Sequence, residues 1–388
     1  MFKPRASQLL PVLALAAALV SCTESGIAMN KGGPAPGQVI TVDNSGDAGQ
    51  FVSMDIDVND HVHLVYYDKK NQSLKYVQWS RQGLAADVID DSCRRCLFAT
   101  VKVSGKGEPH VAYYSDSTQT FTYAYRSDQG WKRESIEWGA GTGMGARLLV
   151  DDSYTLHALY YSGDGWLKHA WRVKKKPASA RPAKGKHTKK KEEPEGLWGN
   201  ERVDKANGSE RVQISFVTAP DGRLAASYLH WSGLTSQLRL AERQADGTWK
   251  SQVVAREHNP GKSSALFYDE QGQPRIIFRQ AMKNRLCLAE FSGQEWKVSP
   301  LVPDAYNMAL AMDAGGNLLL AYEHLTGRDP RKGHLRYALR RVSQWTMYTV
   351  DTTPGTGTHL DAVFTSNSVP VIAFYEESGH SLKLYTGK

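Results

Sequence analysis

The sequence predicts an all-β fold, a β-propeller of seven four-stranded blades. The first observation behind this is a phrase repeated at a fixed interval. His63-Leu64-Val65-Tyr66-Tyr67, His110-Val111-Ala112-Tyr113-Tyr114 and His157-Ala158-Leu159-Tyr160-Tyr161 are each displaced by 47 residues, and a period of that size marks a solenoid, a propeller or an array. The second is that each unit is a series of short alternating runs separated by Gly, Asp and Asn turns, with no helical period between them. Four strands in a unit of roughly 40 to 50 residues is the accounting of a propeller blade. The third is a strand missing at one end of the chain and present at the other.

Aligned on the repeated phrase, six units run over about 51–90, 97–138, 146–204, 210–255, 263–302 and 306–350. The seventh is short. It offers Leu360-Asp361-Ala362-Val363-Phe364, then Val369 to Tyr375, then Leu382-Lys383-Leu384-Tyr385, and lacks a fourth strand. Val39-Ile40-Thr41-Val42-Asp43, ahead of the first unit, matches the outer strand of the sixth, Met347-Tyr348-Thr349-Val350-Asp351. Residues 39–43 are therefore expected to complete the last blade and close the ring, which removes two sticky edges at once. The propeller then covers 39–388, with residues 22–38 as a flexible tether.

Composition agrees with an exported all-β ring. The chain is 41% apolar, with ten Trp and eighteen Tyr to fill the interfaces between blades. Its net charge of +8 is misleading. Lys3 and Arg5 supply +2, and the stretch from Arg172 to Glu195 supplies +7, which leaves about −1 for everything else. That stretch holds Lys174-Lys175-Lys176, Lys189-Lys190-Lys191 and Pro177, Pro182 and Pro194 with almost no apolar residue, so a disordered insertion is expected over about 174–196. Contact with polyanions such as headgroup or lipopolysaccharide phosphates is within its chemistry. Nucleic acid is not expected, because no aromatic platform is interleaved with the lysines.

At the N-terminus Lys3 and Arg5 precede an apolar stretch from Leu9 to Val20, too short to span a bilayer and of signal-peptide length. Leu19-Val20-Ser21-Cys22 follows. This resembles the lipobox of bacterial lipoproteins, which implies removal of residues 1–21 and acylation of Cys22, palmitate included. The resemblance implies a cell-envelope address, with Thr23 after the Cys favouring the outer membrane. No other segment has the length of a membrane span.

Of the other cysteines, Cys93-Arg94-Arg95-Cys96 lies between two strands rather than at a helix N-terminus, where a redox Cys-x-x-Cys would gain its low thiol pKa. A local disulfide is expected there, with a redox role and half a metal site as alternatives. Cys287 sits within a strand and is expected to be buried and inert.

No metal and no cofactor are expected. Histidines in register on adjacent blades, His63, His110 and His157, stand about 10 Å apart if blades stack like packed sheets, whereas zinc needs its ligand nitrogens within about 2.1 Å of one point. They are expected to be half-buried packing residues. Asp55-x-Asp57-x-Asn59-Asp60 opens like a calcium loop but has no Gly at its sixth position and Tyr66 at its twelfth, so it is expected to be a hairpin turn.

The first Tyr of each pair is expected to pack between blades. Just past the second Tyr, the chemistry changes from blade to blade, as expected of a binding rim on a repeated scaffold. The candidate residues are Tyr67, Asp68, Tyr114, Asp116, Tyr161, Trp166, His230, Trp231, Arg279, Glu323, His324, Tyr375 and Glu376.

Ser127-Asp128-Gln129-Gly130-Trp131 and Asp246-Gly247-Thr248-Trp249 resemble the Asp-box turns of sialidase and BNR-repeat propellers, which join the third and fourth strands of a blade. The resemblance implies the propeller fold. That family's catalysis uses an arginine cluster, a Tyr/Glu nucleophile pair and a further acid, and no linear motif here receives any of them. No catalytic residue is therefore assigned. The function expected is a membrane-anchored, non-catalytic binding or scaffolding module for an envelope protein or glycan. The alternative is a propeller-type glycan hydrolase or lyase. Two carboxylates facing each other roughly 5 to 10 Å apart would favour the alternative, and an aromatic shelf would favour binding.

Overall fold

The structure, a computed structural model, describes residues 26–173, 197–207, 212–231, 235–327 and 332–388. Seven antiparallel sheets form one ring, one sheet per repeat. The first strands of the blades are Ala48–Ile56, Cys96–Val103, Met144–Val150, Ser215–Thr218, Pro260–Tyr268, Ala305–Met312 and Thr356–Phe364, and neighbouring ones pack around the centre. The outer strand of the last blade comes from the N-terminus, since Gly37–Asp43 pairs antiparallel with Ser381–Gly387. The closure expected for residues 39–43 is what the chain adopts.

Second strands such as Val62–Asp68, Leu156–Ser162 and Pro370–Glu376 are buried at every position. Each is covered by a neighbouring blade on both faces, so β-branched and aromatic residues fill consecutive positions instead of alternating with polar ones. The repeated phrase builds two clasps. Tyr66, Tyr113, Tyr160 and Tyr228 each donate a hydrogen bond to an acid at the end of the preceding outer strand, respectively Asp43, Asp90, Glu137 and Asp204. A cation completes each interface, Lys75, Arg133, Lys168 and Arg239 in turn. The acid between blades 7 and 1 is Asp43, supplied by the closing strand, so that junction is built like its neighbours.

The histidines form the second clasp, between strands two and three of a blade. The Nδ1 of His63 lies 2.6 Å from the Tyr76 hydroxyl, that of His110 2.6 Å from Tyr123, and that of His157 2.9 Å from His169. These imidazoles are packing residues. Asp57 makes the hairpin turn expected of the calcium-like stretch, its Oδ1 accepting the backbone N–H groups of Asn59 and His61. Asp151, Asp269 and Asp313 repeat the device in other blades.

Around the channel, side chains of one first strand bond the backbone of the next. Asp55 accepts from the Val103 N–H at 2.7 Å, Ser215 from Leu266 at 2.9 Å and Asp361 from Met54 at 2.8 Å, the last across the closing interface. Such bonds satisfy buried polar groups that a sheet edge would leave open.

The tether requires correction. Met29–Pro34 is a strand that pairs in parallel with Gln344–Thr349 and adds a fifth strand to blade 6. Upstream, the Ile27 N–H donates to the Pro300 carbonyl on blade 5, and Ile27 and Met29 pack on apolar residues there. Unpaired outer edges explain this, because an exposed row of N–H and C=O groups recruits any chain that can lie beside it. The N-terminal segment is thus a belt across blades 5, 6 and 7.

The leader, Cys22 and the lysine-rich insertion lie outside the described residues. Val173 and Leu197, which flank the insertion, are register partners at the end of one hairpin. Replacing residues 174–196 by a short Gly/Ser link is therefore expected to change the melting temperature by no more than about 3 °C, since closure entropy varies slowly with loop length. Calorimetry of the two forms checks this. Among the described residues no helix is long and apolar enough to cross a membrane.

Candidate functional site

One mouth of the channel is where first strands begin and second strands end. In six blades the first strand carries a register irregularity there, between Gln50 and Ser53, Leu97 and Thr100, Met144 and Arg147, Pro260 and Ser264, Ala305 and Met308, and Thr356 and Leu360. Bulges of this kind re-aim side chains. In the first three blades the bulge holds Phe51 at φ 55°, Phe98 at φ 56° and Gly145 at φ 64°, each 47 residues from the last. Glycine takes this left-handed conformation freely, but a phenylalanine held there costs roughly 1–3 kcal/mol, a strain that concentrates at functional sites.

The outcome is an aromatic shelf. The Phe51 ring lies 5.7 Å from that of Phe98 and 5.1 Å from that of His359. Beside it is a cavity of about 740 Å³ to which every blade contributes, with Arg95, Arg147, Lys262 and Arg279 as its cations and Glu323 and Glu377 as its carboxylates. Arg279 is 6% exposed. Its guanidinium stands 3.9 Å from the centre of the Tyr306 ring, and one terminal nitrogen donates to Asn284 Oδ1 at 3.0 Å. Asn284 is placed for this by a short 3-10 turn, Ala281–Lys283, which it caps in the left-handed conformation.

Glu323 is fully buried, and its Oε2 accepts a 2.7 Å hydrogen bond from Asn307 Nδ2. Burial, reinforced by the nearby Glu377, pushes its carboxyl up to about 7 against opposing pulls from the Asn307 hydrogen bond and, less strongly, from Arg279. Three buried polar atoms on this cavity have no protein partner: Arg279 Nε, Glu323 Oε1 and Thr358 Oγ1. Leaving such atoms unbonded costs about 1–3 kcal/mol each, so they favour a ligand that offers both donors and acceptors.

The raised Glu323 pKa fixes a sign. The unfolded chain ionises this group near 4.5 and the folded chain near 7, so its contribution to stability is full below about 4.5 and is lost as pH rises through 7. Glu323→Gln, which keeps an acceptor for Asn307, is expected to gain on the parent over that range by on the order of 3 kcal/mol. Paired thermal melts at the two ends of the window check it; parallel curves would refute it.

The candidate rim residues separate into two groups. Arg279 and Glu323 line the mouth, and Tyr67 and Asp116 line an adjoining groove. The rest do not face these cavities. Asp68 is buried against Lys75 and Asn71, and Glu376 against Lys383 and Ser381; on blade 7 it is Glu377 that reaches the mouth. Tyr114 packs against Leu97 and Phe98, with its hydroxyl accepting from the Gly141 N–H, and Tyr161 donates to the Leu229 carbonyl. Tyr375 donates to Asp47, Trp166 lies under Arg202, and His324 stacks edge-on to His334. His230 and Trp231 end the second strand of blade 4 without lining either cavity, Trp231 being exposed. Phe51, Phe98, Arg147, Tyr306, Asn307 and His359 were missed. For Phe51 and Phe98 the 47-residue displacement was the available signal.

Cys93 and Cys96 form the expected disulfide, with Cα atoms 5.5 Å apart, and Cys287 is buried.

No model of a protein family matches the chain, and no curated protein matches its sequence. Among solved structures it is similar to an ulvan lyase from a new family of polysaccharide lyases, with a TM-score of 0.55 and 10% identity over 94% of this chain and 96% of that one. A mutant of the Trypanosoma rangeli sialidase displaying trans-sialidase activity gives a TM-score of 0.50 and 13% identity, over 82% of this chain and 57% of the sialidase chain. The likeness is one of fold. It supports the propeller architecture and its resemblance to sialidase-type rings.

Proposed function

We propose that the chain is a glycan-binding propeller whose channel mouth takes an acidic saccharide. The observation that carries this is the combination at one mouth of an aromatic shelf, four cationic side chains and three unpartnered buried polar atoms. Sugar rings stack on aromatic faces through their C–H edges, guanidinium groups bond carboxylate or sulfate in bidentate fashion, and hydroxyls serve as donor and acceptor together. A non-catalytic binding role needs nothing more.

The test is calorimetric titration with heparin and polygalacturonate against dextran, on the chain with residues 174–196 replaced by a short link so that the lysine run does not contribute. Saturable binding of the acidic polymers that weakens with salt is the expected result. Equal response to dextran, or none to any polymer, overturns the proposal.

A glycan hydrolase or lyase is the second reading, and one observation favours it. Glu323 has a pKa near neutrality and an oxygen without a protein partner, in a cavity with Tyr306 and three arginines. A carboxyl poised near the working pH is suited to proton transfer. Incubation with the same acidic polymers, followed by reducing ends and by ultraviolet absorbance of unsaturated uronate, separates the readings.

We further propose that the propeller is anchored to the bacterial envelope through acylated Cys22. Cys22→Ser is expected to move the protein from the membrane to the soluble fraction. Sedimentation unchanged from the parent would count against the anchor.

A further inference from the structure

A second cavity of about 680 Å³ lies on the rim between blades 1 and 2. It is lined by Tyr67, Lys69, Arg94, Arg95 and Asp116, and it shares Phe51, Arg95 and Leu97 with the central mouth. The two cavities therefore meet along one side of the aromatic shelf. Three of the mouth's four cations, Arg147, Lys262 and Arg279, stand on blades 3 and 5, away from the fourth, Arg95, at the junction, so the whole path runs from mid-channel to the outer rim.

The floor of the outer cavity is held in place covalently. The Cys93–Cys96 disulfide closes the loop, its Cys93 carbonyl accepts from the Arg95 N–H, and the Tyr67 hydroxyl donates to the Arg94 carbonyl. Arg94 is in the left-handed conformation at φ 53°, unusual for a side chain of this size. Lys69 is paired with Asp47 at 3.1 Å and Arg95 loosely with Asp116 at 3.9 Å, whereas Arg94 makes no ion pair among the described residues. A solvent-facing guanidinium on a rigid loop recognises an anion without first having to be ordered.

We propose that mouth and groove form one continuous site for a linear polyanionic glycan several sugars long, with the disulfide-closed loop binding an anionic group distal to the one held at Arg279. This rests on the reading of the mouth as an acidic-saccharide site and adds chain-length selectivity to it. The bound polymer lies over Phe51 and Arg95 at the junction, and Arg94 forms the outer subsite.

The experiment uses the full chain with a heparin disaccharide and a heparin hexasaccharide, read by amide hydrogen exchange and by affinity. Both fragments protect the peptides around Tyr306 and Asn307, and only the hexasaccharide protects residues 91–97. Arg94→Ala, which lies on the groove and not on the mouth, weakens the hexasaccharide about tenfold and leaves the disaccharide unchanged. Cys93→Ser with Cys96→Ser produces the same selective loss. A hexasaccharide that protects the mouth but not 91–97, or an Arg94→Ala variant that affects both fragments alike, overturns the groove and leaves the mouth standing. Absence of protection at the mouth with either fragment overturns the underlying reading as well.

Discussion

Deleting Gly37–Asp43 is expected to leave a protein that aggregates or melts far below its parent. Six register partners join this strand to Ser381–Gly387, and main-chain hydrogen bonds contribute roughly 1 kcal/mol each. Ile40 and Val42 also leave the apolar cluster shared by blades 1 and 7. An electrostatic loss adds to this. Asp43 is the acceptor for the buried Tyr66 hydroxyl and a partner of Lys75, and stranding a buried polar group costs about 1–3 kcal/mol more. Together these rival the roughly 5–15 kcal/mol that holds an ordinary domain. Removing Met29–Pro34 is expected to be costlier than losing a tether, because blade 6 loses its fifth strand, but milder than losing the closure. Thermal melts with light scattering rank the three proteins; a Gly37–Asp43 deletion as stable as the parent would refute the closure energetics.

Replacing Arg279 with Met is expected to weaken acidic-saccharide binding by about 2–3 kcal/mol, roughly 30- to 150-fold. Met retains most of the side-chain volume against Tyr306 while removing the charge and the unpartnered Nε. Glu323 then loses the one cation that pulls its carboxyl downward, so it stays protonated to higher pH and adds no repulsion to an anionic ligand. The loss measured at neutral pH is therefore a net one, the guanidinium's contribution less the repulsion from the partly ionised Glu323 of the parent. Titration of heparin fragments into the variant, with circular dichroism to verify the ring, measures it. Binding within twofold of the parent, with the same salt dependence, would remove Arg279 from the site.

The ring was legible because its signal is periodic. His63, His110 and His157 mark the same turn in three blades, and each performs the same clasp, so one alignment located strands whose identities are otherwise weak. Closure was legible because residues 39–43 share a pattern with Met347–Asp351 and the same outer-edge role. The site was legible only to the level of a rim. Side chains alternate along a strand, and at its end one residue faces the cavity while the next faces a blade, so Glu376 was expected where Glu377 reaches, and of the expected neighbours Tyr67 and Asp68 only Tyr67 lines a cavity. The shelf was hidden further, because the bulges at Phe51 and Phe98 break strand alternation and no strand pattern predicts a phenylalanine at positive φ. The strand at Met29–Pro34, with Gly32, Gly33 and Pro34, has little strand propensity; edge pairing on blade 6 imposed it.

The belt across blades 5 to 7 sets an order of events in time. Contacts that close the circle join residues very far apart in the chain, 307 positions for Asp361 with Met54, 328 for Tyr375 with Asp47 and 349 for Tyr385 with Pro36. Non-local pairings of this kind form late and slowly. During synthesis the first strand segments emerge long before their partners exist, so the nascent chain cannot lock itself into a ring ahead of time. Blades 1 to 6 can assemble one after another from local hairpins, yet the final docking waits for Ser381–Gly387. Loss of a few residues from the C-terminal end then produces the same open, edge-exposed intermediate as loss of the N-terminal strand, and the two ends of the chain act as a single late checkpoint on release of the folded protein.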